Sequence, residues 1–171
     1  MIIDSLTQAI FQNKTCSITY HSFYDDKVKE FEIDPLHFFE HGGGLYIFAR
    51  KTKTKDIRVL AVERIKKLEM INQAFEYPKG FDPEELLSTA FCITYEEPFD
   101  AKIWFSEDQA RYIKERKWAK DQKVIDQPDG SIILEMKTSG WWNVKKWVLS
   151  FGAEAEVLEP EQLREEIRKE F

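Results

Sequence analysis

Cysteine is scarce in this chain. Cys16 and Cys92 are the only two among 171 residues, too few for a disulfide framework or a four-cysteine zinc site, so a reducing cytoplasm is the expected compartment. Long apolar runs are missing as well. The longest, Leu45-Tyr-Ile-Phe-Ala49, falls far short of the roughly 18 residues a membrane helix needs, and no membrane association is expected. Met1-Ile-Ile-Asp4 lacks the basic start of a secretory signal. With no G-x-G-x-x-G and no Walker loop, a nucleotide-cofactor enzyme has no support. Internal repeats and low-complexity stretches are also lacking. What remains, 43% hydrophobic and 33% charged residues, is the composition of an ordinary folded protein.

Nor is there an excess of positive charge. The net of −6 argues against the whole chain being a basic nucleic-acid binder, but it conceals a split. Residues 1–81 carry 12 basic and 11 acidic side chains, residues 82–171 carry 13 and 20. Arg50 to Lys67 alone holds eight basic groups against Asp56 and Glu63. A binding face depends on such local concentration more than on the global sum.

Hydrophobic periodicity divides the chain into two parts. Ile2, Leu6, Ala9 and Ile10 recur at helical spacing up to Asn13-Lys14. From Thr15 the period drops to two, with Cys16, Ile18 and Tyr20 on one face. Turn signals at Asp25-Asp26 and Gly42-Gly43-Gly44 then space out strands around Phe31–Pro35, Leu45–Thr52, Ile57–Val62 and Arg64–Ile71. One helix and about five closely spaced strands suggest a small, strongly bent barrel. Tyr77-Pro-Lys-Gly-Phe81 reads as a linker, and Asp82-Pro-Glu-Glu85 as a helix start, with Leu86, Leu87, Ala90 and Phe91 as its apolar face. Beyond it come a strand from Phe99 to Phe105 and a helix opened by a capping box at Ser106–Gln109. Strands at 117–126 and 131–138 follow, joined by Pro128-Asp-Gly130, then a helix carrying Trp141, Val144, Val148 and Phe151 and closed by Gly152. A strand at 155–158 and a last helix with Leu163, Ile167 and Phe171 end the chain. The order β-α-β-β-α-β with an added helix is the split βαβ arrangement. The fold class is therefore α+β.

Catalytic patterns are few. His37-Phe-Phe-Glu-His41 matches the H-x-x-E-H pattern of inverted zinc peptidases, but that chemistry needs a helix to place both imidazoles on one face. Between Pro35 and three glycines the segment reads as strand, where residues four apart stand about 13 Å from each other. Cys16 or Cys92 beside His21 lies in no recognisable nucleophile turn. No enzyme emerges, and no cofactor or metal is expected. The remaining chemistry is aromatic and cationic: Tyr46, Phe48 and Arg50 alternate on one strand, Arg58, Leu60, Val62 and Arg64 would share a face of the next, and Tyr20 and Ser22 end the first. Arginine offers a planar five-donor fork for phosphate and tyrosine a stacking face.

Ile18-Thr-Tyr20-His-Ser22, Ile33-Asp-Pro35-Leu36, Gly44-Leu-Tyr46-Ile47, Asp56-Ile-Arg58 and Glu63-Arg64-Ile-Lys-Lys-Leu68 together resemble a WYL domain, a family found in bacterial transcriptional regulators. Trp118, Asp129-Gly-Ser131, Trp147-Val-Leu149, Gly152 and Val157-Leu-Glu-Pro160 are similar to the C-terminal extension that accompanies it. The resemblance implies an Sm-like five-stranded barrel over residues 1–76, a linker and helix over 77–96, and a ferredoxin-like unit over 97–171. It also implies an effector site on Tyr20, Ser22, Tyr46, Arg50, Arg58 and Arg64, for single-stranded nucleic acid or a nucleotide. The expected partners are an N-terminal DNA-binding domain and a second copy in a homodimer. Three features depart from the pattern. The eponymous Trp-Tyr-Leu reads Leu45-Tyr46-Ile47, no arginine stands shortly before Pro35, and no helix-turn-helix precedes the domain. The alternatives are a stand-alone Sm-like RNA- or protein-binding scaffold and, remotely, the zinc hydrolase.

Overall fold

Alternation in the first half of the sequence organises a five-stranded antiparallel sheet capped by one helix. The computed structural model describes residues 1–88, 91 and 96–171, which divide into two compact units, Met1–Pro83 and Glu84–Phe171. Cys92 and Ala90 lie outside the described residues.

In the first unit, α1 (Ile2–Gln12) ends at Asn13, whose left-handed conformation (φ 49°) returns its N–H to the carbonyls of Ala9 and Ile10. β1 (Lys14–Ser22), β2 (Lys27–His41), β3 (Gly44–Lys51), β4 (Ile57–Ala61) and β5 (Ile65–Ala74) follow, in the sheet order β4-β3-β2-β1-β5. Leu6 and Ala9 of α1 share a buried core with Cys16, Ile18, Ile33, Ile47, Leu60 and Ile65. The chain moves from β4 at one margin of the sheet to β5 at the other through a single 3-10 turn, Val62–Arg64. In a flat sheet those margins would stand about 19 Å apart. Four residues reach at most about 14 Å, so the sheet has to curl. Tyr20 spans the closing gap: its hydroxyl accepts the N–H of Ala61 at 3.2 Å, joining β1 to β4. Arg64 accordingly belongs to a turn, not to the strand the alternation predicts.

The second unit runs α2 (Pro83–Leu86), β6 (Phe99–Phe105), α3 (Glu107–Lys114), β7 (Lys123–Asp126), β8 (Ile132–Thr138), α4 (Trp141–Leu149), β9 (Ala155–Glu159) and α5 (Glu161–Arg168). Its sheet is antiparallel in the order β7-β8-β6-β9. Trp147 is the centre of an aromatic cluster, with ring centroids 4.6 Å from Trp118, 4.7 Å from Phe91 and 5.4 Å from both Phe105 and Phe151. Several local expectations change. The helix at Pro83 lasts one turn; Phe91 is buried in the core, and its carbonyl accepts from Asn143 Nδ2 at 3.1 Å. Ser106 is the N-cap residue of α3, but its hydroxyl donates to Glu154, so no capping box forms. The strand expected from 117 begins only at Lys123; Gln122 turns back to accept the N–H groups of Trp118 and Ala119. Phe171 lies past the end of α5 and is exposed, whereas Leu163 and Ile167 are buried. Among the described residues no helix is long and apolar enough to cross a membrane.

Candidate functional site

The register of β3 sets two faces. Ile47 and Ala49 point into the core shared with α1, which sends Tyr46, Phe48 and Arg50 to the opposite face. β4 pairs Arg58 with Ala49 and Ile57 with Arg50. Arg58 therefore shares the core side of the sheet with Leu60, away from Arg50. The six residues implied by the resemblance do not form one patch.

Tyr20 is 8% exposed within the core, and its hydroxyl is occupied by Ala61. Ser22 pairs with Lys27 at the β1–β2 turn, where Lys29, and then Ser22, hold the Asp25 carboxyl below the usual range. Arg50 is largely committed to Asp34, itself 2% exposed: Nε donates at 3.0 Å and Nη2 at 2.7 Å to the same carboxylate oxygen. The other oxygen of Asp34 accepts from the buried Thr15 hydroxyl at 2.7 Å. Arg58 is exposed on the marginal strand and pairs with Asp56 at 3.0 Å, keeping that carboxyl below its ordinary range. The half-buried Arg64 lies with its guanidinium 4.0 Å from the ring centroid of Phe23, an exposed residue of the β1–β2 turn. No carboxylate among the described residues pairs with it.

An aromatic stack that strand alternation alone does not reveal lies on the Tyr46/Arg50 face. Phe39 stacks on Tyr46 at 5.6 Å and on Phe48 at 4.7 Å. Phe81 meets Phe48 edge-on at 5.5 Å, and Tyr77 meets Phe81 at 5.8 Å. Burial, with a contribution from Asp82, pushes the Tyr77 phenol up. Residues 75–81, just before the boundary between the two units, lie as a strap on the Tyr46/Arg50 face. Three aromatics within seven residues, Phe75, Tyr77 and Phe81, were the available signal. The Asp34–Arg50 pair had one too, an acid and a base on neighbouring strands of one hairpin. Residues 37–41 run extended within β2, His37 opposite Phe48 and His41 opposite Gly44, the geometry that separates the two imidazoles. Cys16 is fully buried, and burial first, then Asp34, raises its thiol to about 11.

Residues 1–70 match the family model of the WYL domain, and residues 97–171 that of the WCX domain; only 71–96 lie outside both. No curated protein matches the chain. Among solved structures it is similar to proteasome accessory factor B/C (PafBC) of Arthrobacter aurescens, with 23% identity over 97% of this chain and 25% of that one and a TM-score of 0.44. It is also similar to a CRISPR Cas-related protein, with 16% identity over 98% of this chain and 48% of that one and a TM-score of 0.64. The chain spans about a quarter of the first and about half of the second, and the second likeness is one of fold.

Proposed function

Because the chain belongs to the family that joins a WYL domain to a WCX domain, we propose that it is the effector-sensing module of a bacterial transcriptional regulator. It acts without catalysis, in the cytoplasm and as a homodimer, alongside a DNA-binding domain. In this reading residues 1–76 form an Sm-like barrel that binds the effector, supported by the curl of the first sheet and its capping helix. Residues 77–96 connect it to a ferredoxin-like unit over 97–171, supported by the β6-α3-β7-β8-α4-β9 order and the sheet order β7-β8-β6-β9.

The effector class we propose is single-stranded nucleic acid or a nucleotide. The observation that carries this is Arg64, a guanidinium spread over an exposed phenyl ring with no carboxylate partner among the described residues. Such a group offers both charge-assisted donors to a phosphate and a flat surface beside a base. Arg58, on the marginal strand, is a second cation within reach of solvent, and Tyr46, on the opposite face of the sheet beside Arg50, supplies a partly exposed ring to a nucleic-acid strand that passes the margin.

Titration of a short oligothymidylate at several salt concentrations tests this. Two or three neutralised phosphates give a log–log salt slope between about −1.4 and −2, at roughly −0.7 each. Arg58→Ala and Arg64→Ala should each reduce the slope by less than one unit and cost about 1–3 kcal/mol. Tyr46→Ala should weaken binding with the slope unchanged, because stacking releases no counterions. Unchanged affinity in all three variants would overturn the assignment.

A further inference from the structure

We propose that the strap, residues 75–81, occupies the Tyr46/Arg50 face as an internal competitor, and that an effector phosphate displaces it by taking over Arg50. This rests on the effector reading above.

Arg50 Nη2 serves two acceptors, Asp34 Oδ2 at 2.7 Å and the backbone carbonyl of Glu76 at 3.0 Å. The Phe75 ring centroid lies 5.9 Å from the same guanidinium. Phe75 itself is anchored by its N–H, which donates to the Asn13 carbonyl at 2.9 Å. Farther along, Phe81 closes edge-on over Phe48, which is fully buried beneath it. The strap therefore covers the face that displays Tyr46 and Arg50.

The contacts differ in what could replace them. Asp34 is buried and also held by Thr15, so that half of the Arg50 fork stays put. The Glu76 carbonyl is a neutral acceptor, and Arg50 Nη1 has no protein acceptor among the described residues. A phosphate sets a negative charge against the guanidinium's positive one and can accept in a bidentate pair, which the neutral Glu76 carbonyl cannot. Exchange at Nη2 would free Glu76 while leaving Arg50 oriented by Asp34. Because the strap leads out of the first unit, its release would carry the occupancy of the barrel to the chain beyond Phe81.

Competition has a reciprocal signature: weakening the strap tightens the ligand by the gain in competent population. Phe81→Ala removes the ring pair with Phe48 that holds the strap to the face, together with the pair with Tyr77 inside the strap, and should bind a short oligothymidylate roughly two- to tenfold more tightly than the unsubstituted chain. Tyr77→Ala, a milder change at a 44% exposed ring, should act in the same direction and decides the matter if Phe81→Ala fails to fold. Adding the oligonucleotide to the unsubstituted chain should speed hydrogen exchange of the amides across 75–81. Equal or weaker binding by the variants, or slower exchange across the strap, would overturn the proposal while leaving the effector reading intact. Binding by none of the proteins would remove the effector reading, and this proposal with it.

Discussion

Replacing Asp34 with alanine should destabilise the first unit by about 3 kcal/mol. The substitution removes both Arg50 hydrogen bonds to the carboxylate and leaves the buried Thr15 hydroxyl without its acceptor. Breaking one side of a buried ion pair costs about 3–5 kcal/mol. Arg50 keeps the Glu76 carbonyl and is 18% exposed, which places the loss at the low end. A unit of 83 residues has a total stability on the order of 4–12 kcal/mol, so the loss is a large share of it. All five tryptophans, Trp104, Trp118, Trp141, Trp142 and Trp147, lie in the second unit, so tryptophan fluorescence in urea follows that unit alone. Far-UV circular dichroism follows both. The expected result is a downward shift of about 3 M in one dichroism transition, at a slope of about 1 kcal/mol per M, with the fluorescence midpoint unmoved. Asp34→Leu combined with Arg50→Met should recover most of the loss, since apolar replacement of a buried pair is often neutral. An Asp34→Ala shift below about 1 kcal/mol would refute the assignment of this pair as a structural tie.

Trp147→Ala should cost about 3–5 kcal/mol and lower the fluorescence-detected midpoint, because four aromatic neighbours lose their shared partner; a loss under about 1 kcal/mol would contradict the packing. The raised Cys16 thiol predicts that folding holds its proton beyond the unfolded value of 9.0. Its contribution to stability is therefore complete below pH 9 and fades as pH rises towards about 11. Peptide mapping after alkylation at neutral pH should find Cys16 modified only on denaturation, and labelling of the native chain would count against its burial. Light scattering at roughly tens of micromolar should report a dimer, and a clean monomer would remove the homodimer from the proposal.

β1 is legible because its buried residues alternate: Cys16, Ile18 and Tyr20 are read from period two alone. Arg58 shares its face with Leu60 as alternation predicts, but Arg64 does not follow, because the 3-10 turn Val62–Arg64 resets the phase. Arg50 was correctly placed on a face with Tyr46 and Phe48, but its partner was invisible to a single-strand pattern. Asp34 meets it only through the β2–β3 register, next to a bulge at Pro35–His37. Pro78 and Gly80 mark the strap as a connection, whereas its aromatics decide its course. Local signals located elements; commitments between side chains distant in sequence came only from the register.

The Tyr20–Ala61 hydrogen bond has a bearing on aggregation. β4 stands at the margin of its sheet, where an unsatisfied amide would be a template for a strand from another molecule. A phenol carried in from β1 accepts the Ala61 N–H, so part of that margin is sealed from inside by a side chain and no extra strand is required. Tyr20→Phe would keep the ring and its packing while unsealing the amide. Because the amide is buried, its expected signature is a lowered melting temperature together with a loss of colloidal stability on prolonged warm incubation.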